Sequence, residues 1–232
     1  MEDERIVGKN NVQLHKEVEI LQPDQEIFLP GEVGSVLEWT VKRADGSIRE
    51  QRTIKSKSFV KQFLDLWIVQ ALNAPDVNSM RVRDTGNALR EICFSHLTFA
   101  ANASTGDITF GIVVGTGNVA PIISDYALGV QIAHGTGVGQ IQYGNVAFGL
   151  PASDAASSHF TVTRDFSNAS GGDITVNEIG LYVKGQESNG IFPWSSTVTT
   201  RYFMTIRDLI VGGIVVPNGE TLTINYRLMA QV

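Results

Sequence analysis

From residue 80 onward the chain repeats one pattern: a short run rich in β-branched and aromatic residues, then a cluster of Gly, Asn, Ser, Thr or Pro. The runs fall at 80–84, 92–100, 108–114, 129–133, 140–148, 159–165, 174–183, 201–208 and 221–229. Turn signals such as Gly115-Thr116-Gly117-Asn118, Gly135-Thr136-Gly137, Ser170-Gly171-Gly172-Asp173 and Pro217-Asn218-Gly219 separate them. Many short strands at this spacing, with no second helical period, predict an all-β fold, an antiparallel β-sandwich of jelly-roll type. Alternation is clearest near the end. There Leu222, Ile224, Tyr226 and Leu228 share one face while Thr221, Thr223, Asn225 and Arg227 share the other.

The first hundred residues differ. They hold 28 of the 42 charged residues and only 5 of the 23 glycines. Residues 1–35 are broken by Pro23, Pro30, Gly31 and Gly34 and read as an extended arm. A hairpin follows, with Leu37, Trp39 and Val41 alternating, Asp45-Gly46 at the turn and a return strand over 48–54. A helix is expected next. Ser56 or Ser58 could cap it, and Asn73-Ala74-Pro75 ends it. Its apolar surface, Phe59, Val60, Phe63, Leu64, Trp67, Val69, Ala71 and Leu72, is wide enough to require burial against a sheet or a partner chain, core packing being preferred. The expected organisation is therefore an arm (1–35), a hairpin plus helix (36–75) and a β-sandwich (76–232). The last two could form one compact domain.

Charge and composition exclude several classes. A formal net charge of −6 argues against a protein that coats nucleic acid. One cysteine, Cys93, in an apolar run, excludes an internal disulfide framework and cysteine zinc fingers and reads as a core residue. The acidic start has no apolar segment behind it, so no Sec leader or membrane span is expected, and synthesis is expected in a cytoplasm.

No enzyme signature emerges. Gly115-Thr116-Gly117-Asn118-Val119-Ala120 fits G-x-G-x-x-A, but Pro121 follows at once, the next apolar residues lack helical period and no Asp or Glu lies between Asp125 and Asp154, so it reads as a turn between strands. His15, His96, His134 and His159 are scattered without metal-ligand spacing. Among the carboxylates near strands, Asp165, Asp173, Glu178 and Asp208, two could form a hydrolytic pair, but solvated turn and edge positions are the preferred reading. Asn102 and Asn168 stand in glycosylation-type triplets and read as turn residues. No catalytic residue, cofactor or metal site is assigned.

Two stretches suggest binding. Between residues 42 and 61 seven basic residues face two acidic ones, which makes Lys42, Arg43, Arg49, Arg52 and Lys55 candidates for contact with an acidic partner; a merely solvated ribbon is the preferred alternative. Tyr126, Phe192 and Trp194, placed in loops, could stack on a sugar, with packing again preferred; Trp194 is kept as a candidate partner contact.

A resemblance adds to this. The relevant residues are Ile112-Val113-Val114-Gly115-Thr116-Gly117-Asn118-Val119-Ala120-Pro121, Ser124-Asp125-Tyr126-Ala127-Leu128, and Gly135-Thr136-Gly137 with Gln140-Ile141-Gln142-Tyr143-Gly144. Further on come Asn177-Glu178-Ile179-Gly180-Leu181-Tyr182, Met204-Thr205-Ile206-Arg207-Asp208-Leu209 and Val216-Pro217-Asn218-Gly219-Glu220. Together they resemble virion proteins of tailed bacteriophages, over about residues 107–232. The Asn-Glu-Ile-Gly-Leu-Tyr element also resembles a strand of phage tail-fibre and collar modules. The resemblance implies a non-enzymatic structural protein of the virion, made in the host bacterial cytoplasm. Such a protein would form a symmetric homo-oligomer and bind other virion proteins of the capsid, connector or tail. Capsid decoration or head–tail connection is preferred to a fibre. A receptor- or carbohydrate-binding module of the tail is the alternative.

Overall fold

Strands β1 (Val33–Lys42) and β2 (Ile48–Ser56) form the expected hairpin, closed by Asp45 and by Gly46 at φ 83°. The Asp45 carboxylate accepts bonds from the Ser47 amide and hydroxyl, which hold its pKa below the usual carboxylate value. The computed structural model describes residues 33–56, 59–72, 81–92, 99–188 and 198–231. Val33, Gly34 and Ser35, expected as the end of the arm, already belong to β1; the rest of the arm lies outside the described residues.

The hairpin is built into the main sheet rather than attached to it. β1 pairs on one side with β2 and on the other with β11 (Thr221–Gln231), position for position from Val33↔Ala230 to Lys42↔Thr221. The sheet continues through β8 (Ser157–Ser167) to β6 (Gln142–Phe148), with the two-residue β7 (Ala152–Ser153) also on β8. A second sheet has the order β10 (Val198–Val216), β9 (Ile174–Ser188), β5 (Gly111–Gly115). A small ribbon joins β3 (Arg81–Arg83) to β4 (Leu89–Glu91). Among the described residues all paired strands are antiparallel and one short helix is present, and the mostly β-strand fold is an all-β sandwich.

Period-two alternation explains how the sheets face each other. Leu37, Trp39 and Val41 of β1, Leu222, Ile224 and Tyr226 of β11, and Val162 and Phe166 of β8 all point inward and are buried. The opposite face of the same strands carries polar cross-strand pairs. Thr163 donates to Asn225 (2.7 Å), Thr223 to Asp165 (2.7 Å), and Ser167 pairs with Thr221 (3.1 Å). In the second sheet β5 is buried throughout, as are residues 178–183 of β9 and 203–208 of β10. Burial on both faces means that something other than the first sheet covers the outer side. That cover is helix α1 (Lys61–Leu72) together with the loop 116–130.

Several expectations change. The run 129–133 is loop, with one bridge from Gln131 to Gly115, because the amides of Gly129 and Val130 are taken by a side chain instead of a strand. Of the run 92–100 only Ile92, Phe99 and Ala100 are described, Ile92 and Ala100 as isolated bridges to Glu187 and Lys184; Cys93 and His96 lie outside the described residues. Strands β4 and β7 were not anticipated. Ser56 does not cap the helix, since its hydroxyl donates to Asp208 (2.7 Å). The amides of Val60 and Lys61 instead donate to the carbonyls of Thr205 and Ile123.

The helix also sits differently from its apolar pattern. It buries Gln62, Asp65 and Leu66 and exposes Leu64, Trp67 and Ile68. The expectation that Leu64 and Trp67 pack in the core is therefore overturned. The helix turns Leu66 with two polar residues inward and leaves its apolar side, Leu64, Trp67 and Ile68, exposed.

Candidate functional site

Three of the resemblance-bearing stretches, 112–128, 177–182 and 204–209, meet at one place, the outer face of the second sheet beneath the loop 116–130, while 135–144 and 216–220 lie elsewhere. Register puts them there. Arg207 lies opposite Gly180, and Glu178 opposite Leu209, so Arg207 and Glu178 are diagonal neighbours on the same face. Asp208, opposite Ile179, points the other way into the sandwich.

Glu178 is fully buried and saturated. Its Oε1 accepts the amides of Gly117 (3.1 Å) and Val130 (2.8 Å). Its Oε2 accepts the amide of Gly129 (3.0 Å) and two bonds from Arg207, at Nε (3.1 Å) and Nη2 (2.8 Å). Arg207 reaches on to Asp125 through Nη1 (2.5 Å) and to the carbonyl of Val119 through Nη2 (3.0 Å). Burial alone would lower the Arg207 pKa, but its bonds to Asp125 and Glu178 outweigh this and raise it.

The neighbours of Glu178 complete a clasp. Asn177 donates to the carbonyl of Thr116 (2.9 Å), and the Tyr182 hydroxyl accepts the amide of Leu128 (2.6 Å). Burial pushes the Tyr182 hydroxyl pKa upward, so it stays a neutral phenol. Gly180 is required by contact: a Cβ there would stand 2.9 Å from the Tyr182 ring and 3.1 Å from Leu128. The glycines of Gly115-Thr116-Gly117 have the same cause, since a Cβ on Gly117 would lie 2.3 Å from Glu178 Oε1. This stretch is therefore a turn, as expected, but one shaped by a carboxylate 61 residues away.

Chemically, this arrangement is a set of bonds that hold the loop against the sheet. Five donors occupy the carboxylate of Glu178, leaving no oxygen directed at a substrate. The other inward carboxylate, Asp208, accepts hydroxyls of Ser56 (2.7 Å) and Tyr226 (3.0 Å) between the sheets. Burial, then Asp208, drives the Tyr226 pKa well up. The solvated positions expected for Glu178 and Asp208 are thus corrected to buried ones, while Asp165 and Asp173 are exposed as expected. Glu178 and Asp208 occupy opposite faces of one sheet and cannot flank one scissile bond. Among the described residues, no three His, Cys, Asp or Glu side chains are grouped to hold a metal ion. His134 accepts the amide of Tyr143 at Nδ1 (3.0 Å), and His159 is half-buried on β8. Asn168 is a buried turn residue whose amide donates to Gly172 and Val216. No helix among the described residues is long and apolar enough to cross a membrane.

The basic hairpin is partly neutralised. Arg49 holds Glu220 with two bonds (2.7 and 2.5 Å), and Arg52 pairs with Glu50 (2.9 Å). Arg43 is used on Ser47 and the carbonyl of Ile48. Lys42 is exposed and Lys55 half-buried. These side chains guard β2, the edge strand of the main sheet. Tyr126 is half-buried in the clasped loop. Phe192 and Trp194 lie outside the described residues.

One feature went unread in the sequence: Arg164, fully buried without a carboxylate. All five of its N–H groups donate to backbone carbonyls, of Gly144, Phe110, Ile112, Ser104 and Asp107, at 2.6–3.3 Å. Its guanidinium lies over the rings of Tyr143 (4.9 Å) and Phe166 (6.0 Å). Burial lowers its pKa to about 10, which leaves it a cation at neutral pH. Alternation could have exposed it, since Val162, Arg164 and Phe166 share the inward register. No family model, curated protein or solved structure matches the chain.

Proposed function

We propose that the chain is a non-enzymatic structural component of a tailed-bacteriophage virion. It assembles as a symmetric oligomer and binds other virion proteins, in capsid decoration or head–tail connection rather than as a fibre. One observation carries the reading: three of the stretches that bear the phage resemblance, 112–128, 177–182 and 204–209, supply the parts of a single device that fixes a surface loop. Asn177, Glu178, Gly180 and Tyr182, the Gly-Thr-Gly turn, and Arg207 with Asp125 all serve it. A buried network that spends its charge on immobilising a loop, rather than on a cleft, suits a protein whose work is contact. Surfaces held rigid before binding lose less entropy when a partner docks.

Mass spectrometry of purified particles from the host that carries the coding sequence tests it. Stoichiometric copies of the chain are expected; absence, or trace amounts only, refutes the proposal.

A further inference from the structure

We propose that the bare side of α1 and the tip of the clasped loop together form the surface on which a second copy of this chain docks. The argument begins with the helix. Leu64, Trp67 and Ile68, at i, i+3 and i+4, share one side, and Trp67 is 64% exposed. The opposite side buries Gln62 and Asp65. Apolar side chains gathered on one side of a helix ordinarily face an interior, and among the described residues nothing in the chain covers these three.

The loop extends the same surface. The amide of Lys61, in the first turn of α1, donates to the carbonyl of Ile123 (2.9 Å), which sets Ile122 and Ile123 against the helix. Ile123 is 65% exposed, Ile122 61% and Val119 69%. Each of these three is fixed at its backbone: the Val119 carbonyl by Arg207, the Ile122 amide by Asp125, and the Ile123 carbonyl by Lys61. The apolar side chains are held outward and cannot relax into the core.

Area and charge select the occupant. Six such side chains present roughly 600 Å² of apolar surface, the upper scale a monomer ordinarily leaves open. That approaches the about 800 Å² each partner gives to a standard interface. The charges at the helix start, Lys61 and Asp65, are bonded to each other (2.5 Å), and Asp125 in the loop is bonded to Arg207, so the patch carries no net charge among the described residues. Copies with a formal charge of −6 each meet no local repulsion on such neutral ground, and among the described residues no unpaired charge of the patch steers a charged foreign partner. The inference deepens the oligomer part of the reading above and rests on that part alone, not on the virion.

Sedimentation velocity of the full chain over a concentration series tests it, with Trp67→Arg and Ile123→Arg as variants on two different elements. Val211→Arg, at a residue 89% exposed elsewhere, serves as the control. The wild type and the control are expected to associate, and both variants to associate at least about tenfold more weakly with unchanged circular dichroism. If the wild type associates and neither variant weakens it, this surface is wrong while the oligomer reading stands. A wild type that stays monomeric at every concentration overturns both. If it is monomeric alone but Trp67→Arg abolishes its incorporation into particles, a different virion protein occupies the face and the second-copy assignment falls. Should one variant misfold, the other decides.

Discussion

Replacing Glu178 by Gln should release the loop 116–130 and cost about 4 kcal/mol. The magnitude can be worked from both ends. A glutamine keeps one acceptor oxygen and turns the other into a donor. Placed at Oε2, the new NH₂ would face the amide of Gly129 and two arginine N–H groups; placed at Oε1, it would face the amides of Gly117 and Val130. The second orientation is the less costly and leaves two part-buried amides unsatisfied, at about 1–3 kcal/mol each. Independently, removing one charge of a buried ion pair costs about 3–5 kcal/mol, and Arg207 is left with Asp125 alone. Chemical denaturation would read the global loss, and amide hydrogen exchange at Gly117, Gly129 and Val130 the local one. Arg207→Met should be similarly costly. The double variant Glu178→Leu/Arg207→Met should recover part of the stability but none of the loop protection, because the loop amides still lack an acceptor. A Gln variant that loses less than about 1 kcal/mol with exchange at the three amides unchanged would refute the clasp.

Four further outcomes follow from the geometry. Arg164→Met should destabilise the sandwich by about 4 kcal/mol in urea titration, and Arg164→Lys should not rescue it, because an ammonium has three donors for five carbonyls. Gly117→Ala should cost about 1–3 kcal/mol by crowding Glu178, whereas Gly172→Ala, into open space, should leave the melting temperature within about a degree. The hydrogen bond from Arg49 holds the Glu220 carboxyl below its ordinary 4.5. A carboxyl lowered in the folded state adds stability above its unfolded pKa, and that is lost as pH falls through the folded value, so melting curves should decline below about pH 4.5, less steeply in Arg49→Gln. Removing residues 1–32 should weaken incorporation into particles and leave the circular dichroism spectrum all-β; a chain unfolded by the truncation would show that the segment is core.

Local signals read well because local physics produces them. Alternation over 221–229 placed Leu222, Ile224 and Tyr226 inward, and Asp45-Gly46 marked the hairpin turn. What could not be read was set by partners far along the chain. Gly117 is glycine because of Glu178, Gly129 and Val130 leave strand geometry because the same carboxylate takes their amides, and Ser56 gives up a helix cap for Asp208. The helix misled for a related reason. Its apolar residues surround it, so periodicity alone cannot say which side meets β10. The structure turns Gln62 and Asp65 inward, and only the depth of the second sheet, invisible in sequence, decides that.

The scarcity of charge after residue 100 acquires a sharper meaning from this. Of the 14 acids and bases in that region, Arg164, Glu178, Arg207, Asp208 and Glu220 are buried, all five tying backbone or side chains of distant segments together. Charges on a β surface ordinarily keep edges apart and chains soluble. Here a third of an already small supply is withdrawn into the interior, while Val119, Ile122, Ile123 and Val138 stand outside. A sequence under pressure only to stay monomeric would place them the other way round. Burying ions to fix a loop, and then decorating that loop with isoleucine and valine, is coherent only if the loop's exposed side is covered in the assembled state. The Trp67→Arg and Ile123→Arg variants ask that question directly, and the Glu178→Gln variant should reproduce their assembly defect from underneath, without altering any residue of the exposed face.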